Sequence, residues 1–295
     1  MQYDYHVVDV FTSVPLEGNA LAVFPDARGL DAAIMQRIAR ELNLSETTFV
    51  FPAEDGAAAK VRIFTPAREM EFAGHPTIGT AYVLRALGIV PPDSREFLLE
   101  ENIGRVPVRV DSGDDPILWL KTPPISREGV YDRAQCARAL SLTEDDLLPG
   151  VPSELYTAGN PNIFVPLRTA AAVDAASVDS LALRELLSVR STPTCIFPFA
   201  PTPQGAYSRM FAPELGIIED PATGSATGPL AAFMMDHGLA SRADGTRFIS
   251  EQGTKMGRRS ILHVLITGER GSGAIEVGGN TAPVAVARIT LTDRA

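Results

Sequence analysis

Two cysteines, four histidines and one tryptophan are spread over 295 residues, and each scarcity argues against a class of protein. Cys136 and Cys195 are far apart and in no ligand-like spacing, so neither a disulfide framework nor a structural zinc site is expected. His6, His75, His237 and His263 form no HExxH pairing. No metal is therefore expected. Positive charge is short as well: 26 Lys and Arg against 36 Asp and Glu leave a net charge of −10. Nucleic acid is a poor partner for such a surface, because phosphate binding needs a basic one. A small anionic substrate remains compatible, since a local site can be positive on an acidic protein. No apolar run is long enough to span a membrane, and MQYDYHVVDVF at the N-terminus lacks the basic-then-apolar order of a secretion signal. The expectation is a reduced, cytoplasmic protein with no membrane partner. Nucleotide and hydrolase motifs are missing too. Gly253-Thr254-Lys255 is not a GxxxxGK[ST] loop, and no GxSxG elbow occurs. Gly271-Ser272-Gly273 reads as a hairpin turn and not as the start of a dinucleotide fold.

The length is about that of two ordinary domains. YHVVDVF and ALAVF read as strands on either side of a turn at Pro15 to Gly18. Asp31 is a plausible helix N-cap, followed by Ile34, Ile38 and Leu42 on one helical face. Thr47 to Phe51 reads as a strand with Glu46 at its entry, and Lys60 to Thr65 as another. Leu181 to Leu187 reads as a helix, and ILHVLITG, AIEVGG and VAVARITL as three closing strands.

Two glycine-rich blocks stand out. GHPTIG at 74–79 leads into TAYVLRAL and stops at Gly88; GSATGP at 224–229 leads into LAAFMM and stops at His237-Gly238. A helix apolar nearly all round is a buried helix. The likeness extends to an internal repeat. Gly18-Asn19 before LAVF matches Gly159-Asn160 before NIFV, and Arg62-Ile-Phe-Thr-Pro matches Arg209-Met-Phe-Ala-Pro, at offsets of 141 and 147. Two homologous lobes follow, with a boundary in the polar stretch 121–129. The expected lobes are 1–125, to which a last strand at about 284–295 returns, and 126–283.

A helix N-terminus carries unpaired N–H groups and partial positive charge, and so favours a carboxylate or phosphate. The same glycines could equally serve tight turns and close packing. His75 stands at the mouth of the first buried helix. Asp220 precedes the second, where it could belong to a site or simply favour the dipole. Read by itself, Glu46 is a strand-end carboxylate.

The blocks VPLEGNALAVF (14–24), MQRIARELNLSETTFV (35–50), RIFTPAREMEFAGHPTIGTA (62–81) and SRMFAPELGIIEDPATGSATGPLA (208–231) resemble the phenazine-biosynthesis isomerase family, relatives of diaminopimelate epimerase. The resemblance runs over essentially the whole chain. It implies an α+β fold of two lobes, each a β-barrel-like sheet around a central buried helix, with the active site in the cleft between them. It implies Glu46 as catalytic glutamate, His75 and Asp220 as the other polar catalytic residues, and Ser225 with the backbone of Gly74 and Gly224 as the substrate-carboxylate site. Asn19 lies at the edge of that site. It also implies a homodimer. Relatives that racemise amino acids use a cysteine thiolate at each helix mouth; here those places hold Ala73-Gly74 and Thr223-Gly224-Ser225, so that mechanism is closed.

GHPTIG and GSATGPLA are similar to the phenazine-pathway enzyme itself. They imply isomerisation of trans-2,3-dihydro-3-hydroxyanthranilate, a small carboxylate, with no metal, nucleotide or pyridoxal cofactor. Glu46 would move the proton from C3 to C1, with its pKa raised by burial beside the apolar strand. Two rivals stand beside this reading: the same chemistry on another small cyclic acid, and a small-molecule binder that kept the fold without catalysis.

Overall fold

The computed structural model describes residues 1–53, 56–268 and 274–291. The glycine run 271–273, read above as a hairpin turn, lies outside them, as do the last four residues. The fold is mixed α+β and mostly sheet. In chain order the elements are β1 (Gln2–Val10), β2 (Asn19–Phe24), α1 (Ala32–Leu42), β3 (Glu46–Phe51), β4 (Ala59–Phe64), β5 (Glu69–Met70), α2 (Gly74–Ala86), β6 (Glu96–Glu101), β7 (Gly104–Val110) and β8 (Leu118–Lys121). Then come β9 (Ser126–Tyr131), α3 (Arg133–Ala139), β10 (Ser153–Thr157), β11 (Pro161–Pro166), α4 (Ala170–Ala175), α5 (Ser180–Leu187), β12 (Cys195–Thr202), β13 (Gly205–Ser208), β14 (Met210–Ala212) and β15 (Ile217–Asp220). The chain closes with α6 (Gly224–Asp236), β16 (Arg247–Gln252), β17 (Ser260–Thr267), β18 (Ala274–Gly279) and β19 (Thr281–Thr290). It divides into two compact units: Met1–Leu120 with the C-terminal segment from Gly278, and Lys121–Val277.

In the first unit β1 lies between β19 and β2, both antiparallel to it. β2 runs parallel to β3, which pairs antiparallel with β4. Side chains alternate between the two faces of a strand, and each face has its own helix. Tyr5, Phe24, Phe49 and Phe64 form a ring ladder with centroids 4.9 to 5.5 Å apart. Met35, Ile38 and Ala39 of α1 pack against that ladder. Burying a side chain the size of Met35 or Ile38 stabilises the fold by roughly 1.5–3 kcal/mol. Asp31 caps α1, accepting from Ile34 N at 2.8 Å. The opposite face belongs to α2, which packs on β1, β2 and β3.

The second unit repeats the plan with its own connections. β10 lies between β9 and β11; β11 runs parallel to β12, and β13 parallel to β16. Leu155, Ile163, Val165 and Ile196 share one core with α3, α4 and α5. The alternate residues Tyr156, Phe164 and Phe197 share another with Leu230, Phe233 and Met234 of α6.

The glycine blocks are not turns ahead of the buried helices. They are the first turns of those helices, which begin at Gly74 and Gly224 and run 13 residues each. Pro76 is tolerated there because N–H groups in the first turn have no helical partner to lose. Gly79 sets how close α2 comes to the sheet. A Cβ at this position would stand 2.6 Å from Leu21 Cδ2 and 2.8 Å from Val10 Cγ2. In α6 a Cβ on Gly228 would run into the Thr122 side chain, which follows β8 in the chain.

Candidate active site

The Arg-x-Phe-x-Pro strands prove to be supports for the helix mouths. Arg62 forks onto Glu69 with Nε–Oε1 at 2.7 Å and Nη2–Oε2 at 2.6 Å, and its guanidinium sits over Phe64. Arg209 forks onto Glu219 at 2.8 and 2.7 Å and sits over Phe211. Both glutamates stand five residues before the first residue of the helix. Such bidentate pairs fix direction as well as distance. The sequence repeat shows the arginines; the glutamate partners were not singled out, although their equal spacing from the glycine blocks is the signal that finds them.

In the first unit Leu21 is the cross-strand partner of Glu46 and packs towards Gly79 of α2. Glu46 therefore points to the α2 face. Asn19, two residues before Leu21, shares that face and is buried. His75, one residue into α2, is 6% exposed, and its Nε2 lies 3.1 Å from Glu46 Oε2. The contact is one of proximity, because His75 Nε2 makes no aligned hydrogen bond. Burial pushes the imidazole down to about 3, so it is neutral at ordinary pH and the contact is not an ion pair. A neutral imidazole against a carboxyl group can accept a hydrogen bond from its acid form or donate one to its carboxylate without creating a buried ion pair. Deeper in, Thr48 and Thr80 join β3 to α2 through a buried hydroxyl–hydroxyl bond of 2.8 Å.

In the second unit Asp220 Oδ2 accepts from Thr223 Oγ1 at 2.6 Å. Gln252 holds this segment from below: its Nε2 donates to Asp220 O at 2.7 Å and its Oε1 accepts from Thr223 N at 3.1 Å. Ser225 is half-buried, and its Oγ accepts from Asn160 Nδ2 at 3.4 Å. When the two helices are aligned on their first glycines, His75 corresponds in position to Ser225 and Thr77 to Thr227. Thr77 Oγ1 donates to Ala73 O, and Thr227 Oγ1 to Thr223 O, each four residues back.

The helix mouths share one further property. α1, α3, α4 and α5 start at an Asp or Thr whose side chain accepts a backbone N–H. Ala73 and Thr223, at the start of α2 and α6, supply no such cap. Their first-turn N–H groups have no side-chain acceptor of the usual kind, which suits a carboxylate ligand. Cys136 and Cys195 are free and buried, and Cys195 shares a core with Ala226 of α6 and feels the charge of Asp220. Among the described residues no three His, Cys, Asp or Glu gather as a metal site.

The sequence profile described as "Phenazine biosynthesis-like protein" matches residues 8–287. The chain belongs to this family. It is 37% identical over 297 residues to the trans-2,3-dihydro-3-hydroxyanthranilate isomerase of Pseudomonas aeruginosa, covering 97% of this chain and 99% of that one. It is 36% identical over 277 residues to an uncharacterized isomerase of Escherichia coli K12, YddE, covering 89% of each. A solved structure described as a predicted epimerase from Pseudomonas aeruginosa superposes with a TM-score of 0.83 at 33% identity, covering 98% of this chain and all of that one. This family member is an isomerase with an epimerase-like α+β fold. No helix among its described residues is long and apolar enough to cross a membrane.

Proposed function

We propose that the enzyme moves a proton within trans-2,3-dihydro-3-hydroxyanthranilate, with Glu46 as general acid/base. The observation that carries this reading is the 3.1 Å approach of Glu46 Oε2 to a buried, neutral His75 at an uncapped helix mouth. Glu46 takes the proton from the hydroxyl-bearing C3. The electron pair of the broken C3–H bond shifts through the ring, and the proton on Glu46 is returned at C1. Substrate and product are isomers, so no oxidant or co-reactant enters. The enol formed relaxes to a ketone. His75 and Asp220 position the polar groups of the substrate and assist the proton. Ser225, with the backbone N–H groups of Gly74 and Gly224, binds the carboxylate, and Asn19 borders the reacting groups. The scheme needs no metal, nucleotide or pyridoxal group.

The name of the Pseudomonas relative supports the substrate. The nearly equal likeness to YddE favours a second reading, in which the same proton shift acts on another small cyclic acid. Isotope tracing tests the mechanism common to both. A single carboxylate in a water-poor site should return the proton it took faster than it exchanges with solvent. Substrate deuterated at C3 should therefore give product keeping part of its label at C1. Complete loss of label on the first turnover, with delivery to the opposite face, would refute the one-base path and promote His75 or Asp220 to second base.

A further inference from the structure

Glu101 ends β6 and is 4% exposed, and no step above uses it. Its Oε1 lies 2.7 Å from Thr77 Oγ1, while its Oε2 is buried with no hydrogen-bond partner. Thr77 Oγ1 also lies 2.7 Å from Ala73 O. These contacts cannot all be met by an ionised carboxylate. A hydroxyl owns one proton, and a carbonyl oxygen only accepts. If Thr77 donates to Ala73, the contact with Glu101 needs a proton on the glutamate. If Thr77 donates to Glu101, Ala73 O faces a second acceptor at hydrogen-bond distance, and a buried carboxylate keeps one oxygen bare.

At the matching strand end of the second unit a buried side chain also contacts a threonine of the helix mouth, here Thr223, which aligns with Ala73 and not with Thr77. Gln252 ends β16 as Glu101 ends β6, and it is fully buried. Its amide Nε2 donates to Thr223 Oγ1 at 3.0 Å, and Thr223 Oγ1 donates onward to Asp220. An amide nitrogen can only donate. The order is therefore donor, hydroxyl, acceptor, and a protonated Glu101 reproduces it through Thr77 to Ala73.

We propose that Glu101 is a positioning residue that works as a neutral carboxylic acid, its O–H donating to Thr77 so that Thr77 can fix the first turn of α2. That turn carries Gly74 and His75, so the inference rests on the functional reading of this helix mouth. The surroundings agree. On the neighbouring elements Lys60 pairs with Glu100 and Arg62 with Glu69. Arg105 and Glu71 are exposed, and His75 is neutral and turned to Glu46. Burial is the larger influence on the Glu101 carboxyl and carries it up to about 8 with the Thr77 contact already counted.

Three readouts on the full chain test the proposal, two of them independent of any substrate. Infrared difference spectra of wild type against E101Q at neutral pH should show the C=O stretch of a protonated carboxyl in the wild type alone. The ring resonances of His75 should keep their positions in E101Q, whose amide is also a donor. They should shift in E101L, and in T77V, which removes the hydroxyl with little change of shape and carries this arm if E101L does not fold. Turnover should follow the same order: E101Q rescues what E101L and T77V lose, about tenfold to a hundredfold for a slight misplacement of a reacting group. Absence of the protonated-carboxyl band, or a His75 displacement as large in E101Q as in T77V, would overturn the proposal. If the first two readouts hold while turnover ignores all three variants, the functional reading of this helix mouth fails and the protonation state stands.

Discussion

The stability of this enzyme should depend on pH through two buried groups that titrate in opposite senses. His75 falls from its usual 6.5 to about 3 in the folded chain, and Glu101 rises from 4.5 to about 8, both chiefly because burial disfavours the charged form. Below pH 6.5 the unfolded chain protonates His75 and the folded one does not, so stability is lost on acidification. Above pH 4.5 the unfolded chain ionises Glu101 and the folded one does not, so stability is lost as pH rises, until the folded group ionises near pH 8. Between 4.5 and 6.5 each state binds one proton between the two groups, and their contributions cancel. Outside that window each group alone costs about 1.4 kcal/mol per pH unit. E101Q removes the rising-pH cost and leaves the histidine. From about pH 5 to about pH 7 the stability of E101Q relative to wild type should therefore grow by roughly 3 kcal/mol. Urea unfolding of both proteins at pH steps across this range measures the gap directly. Parallel profiles would show that Glu101 has the same ionisation folded and unfolded, and the argument from its burial would be refuted.

Glu46→Gln should lower turnover by about 10²–10⁴ with the fold intact, as the loss of a general acid/base does; turnover near wild type would remove Glu46 from that role. Ser225 Oγ accepts from Asn160 and keeps its own proton to give, so Ser225→Ala should weaken carboxylate binding by about 1.5–3 kcal/mol in calorimetric titration. Unchanged affinity would place the carboxylate elsewhere. Activity should survive exhaustive chelation and thiol alkylation, since burial pushes both Cys136 and Cys195 up to about 12 and leaves little thiolate. Loss on chelation with recovery on one specific metal would contradict this.

Local signals in the sequence were enough for the elements that obey local rules. Asp31 caps α1 because a short acidic side chain reaches its own first turn. The buried helices are legible from their lack of charge, and their ends from Gly88 and Gly238, both left-handed at φ 69° as a helix stop requires. β6, β7 and β12 were not legible. β6 is rich in glutamate, β7 carries Pro107 and β12 carries Pro198 and Pro201, and proline weakens the pattern of a strand it cannot serve as donor. α3 and α4, at seven and six residues, are too short for a helical period to show. The helix starts are legible in part. Glycine and proline read as a turn, yet Pro76 lies in the first turn of α2, where its missing N–H forfeits no helical bond, while Pro229 stands inside α6 and does forfeit one.

The site divides along the same line. Glu46 and His75 are 29 positions apart, and what brings them together is non-local: the parallel register that sets Leu21 beside Glu46, and the bare Gly79 that lets α2 settle on Leu21 and Val10. No periodicity encodes that register, which is why Glu46 alone reads as an ordinary strand-end charge. Glu101 hides for another reason. Its alternation with Leu99 marks the inward face of β6, but a glutamate there contradicts the apolar rule and looks like the end of the strand. The contradiction is itself the signal. A carboxyl group placed by strand period on the buried face, with no cation against it, must either find a partner that neutralises it or keep its proton. At the mouth of α2 the partner is a threonine hydroxyl already committed to a backbone carbonyl, and so the proton stays.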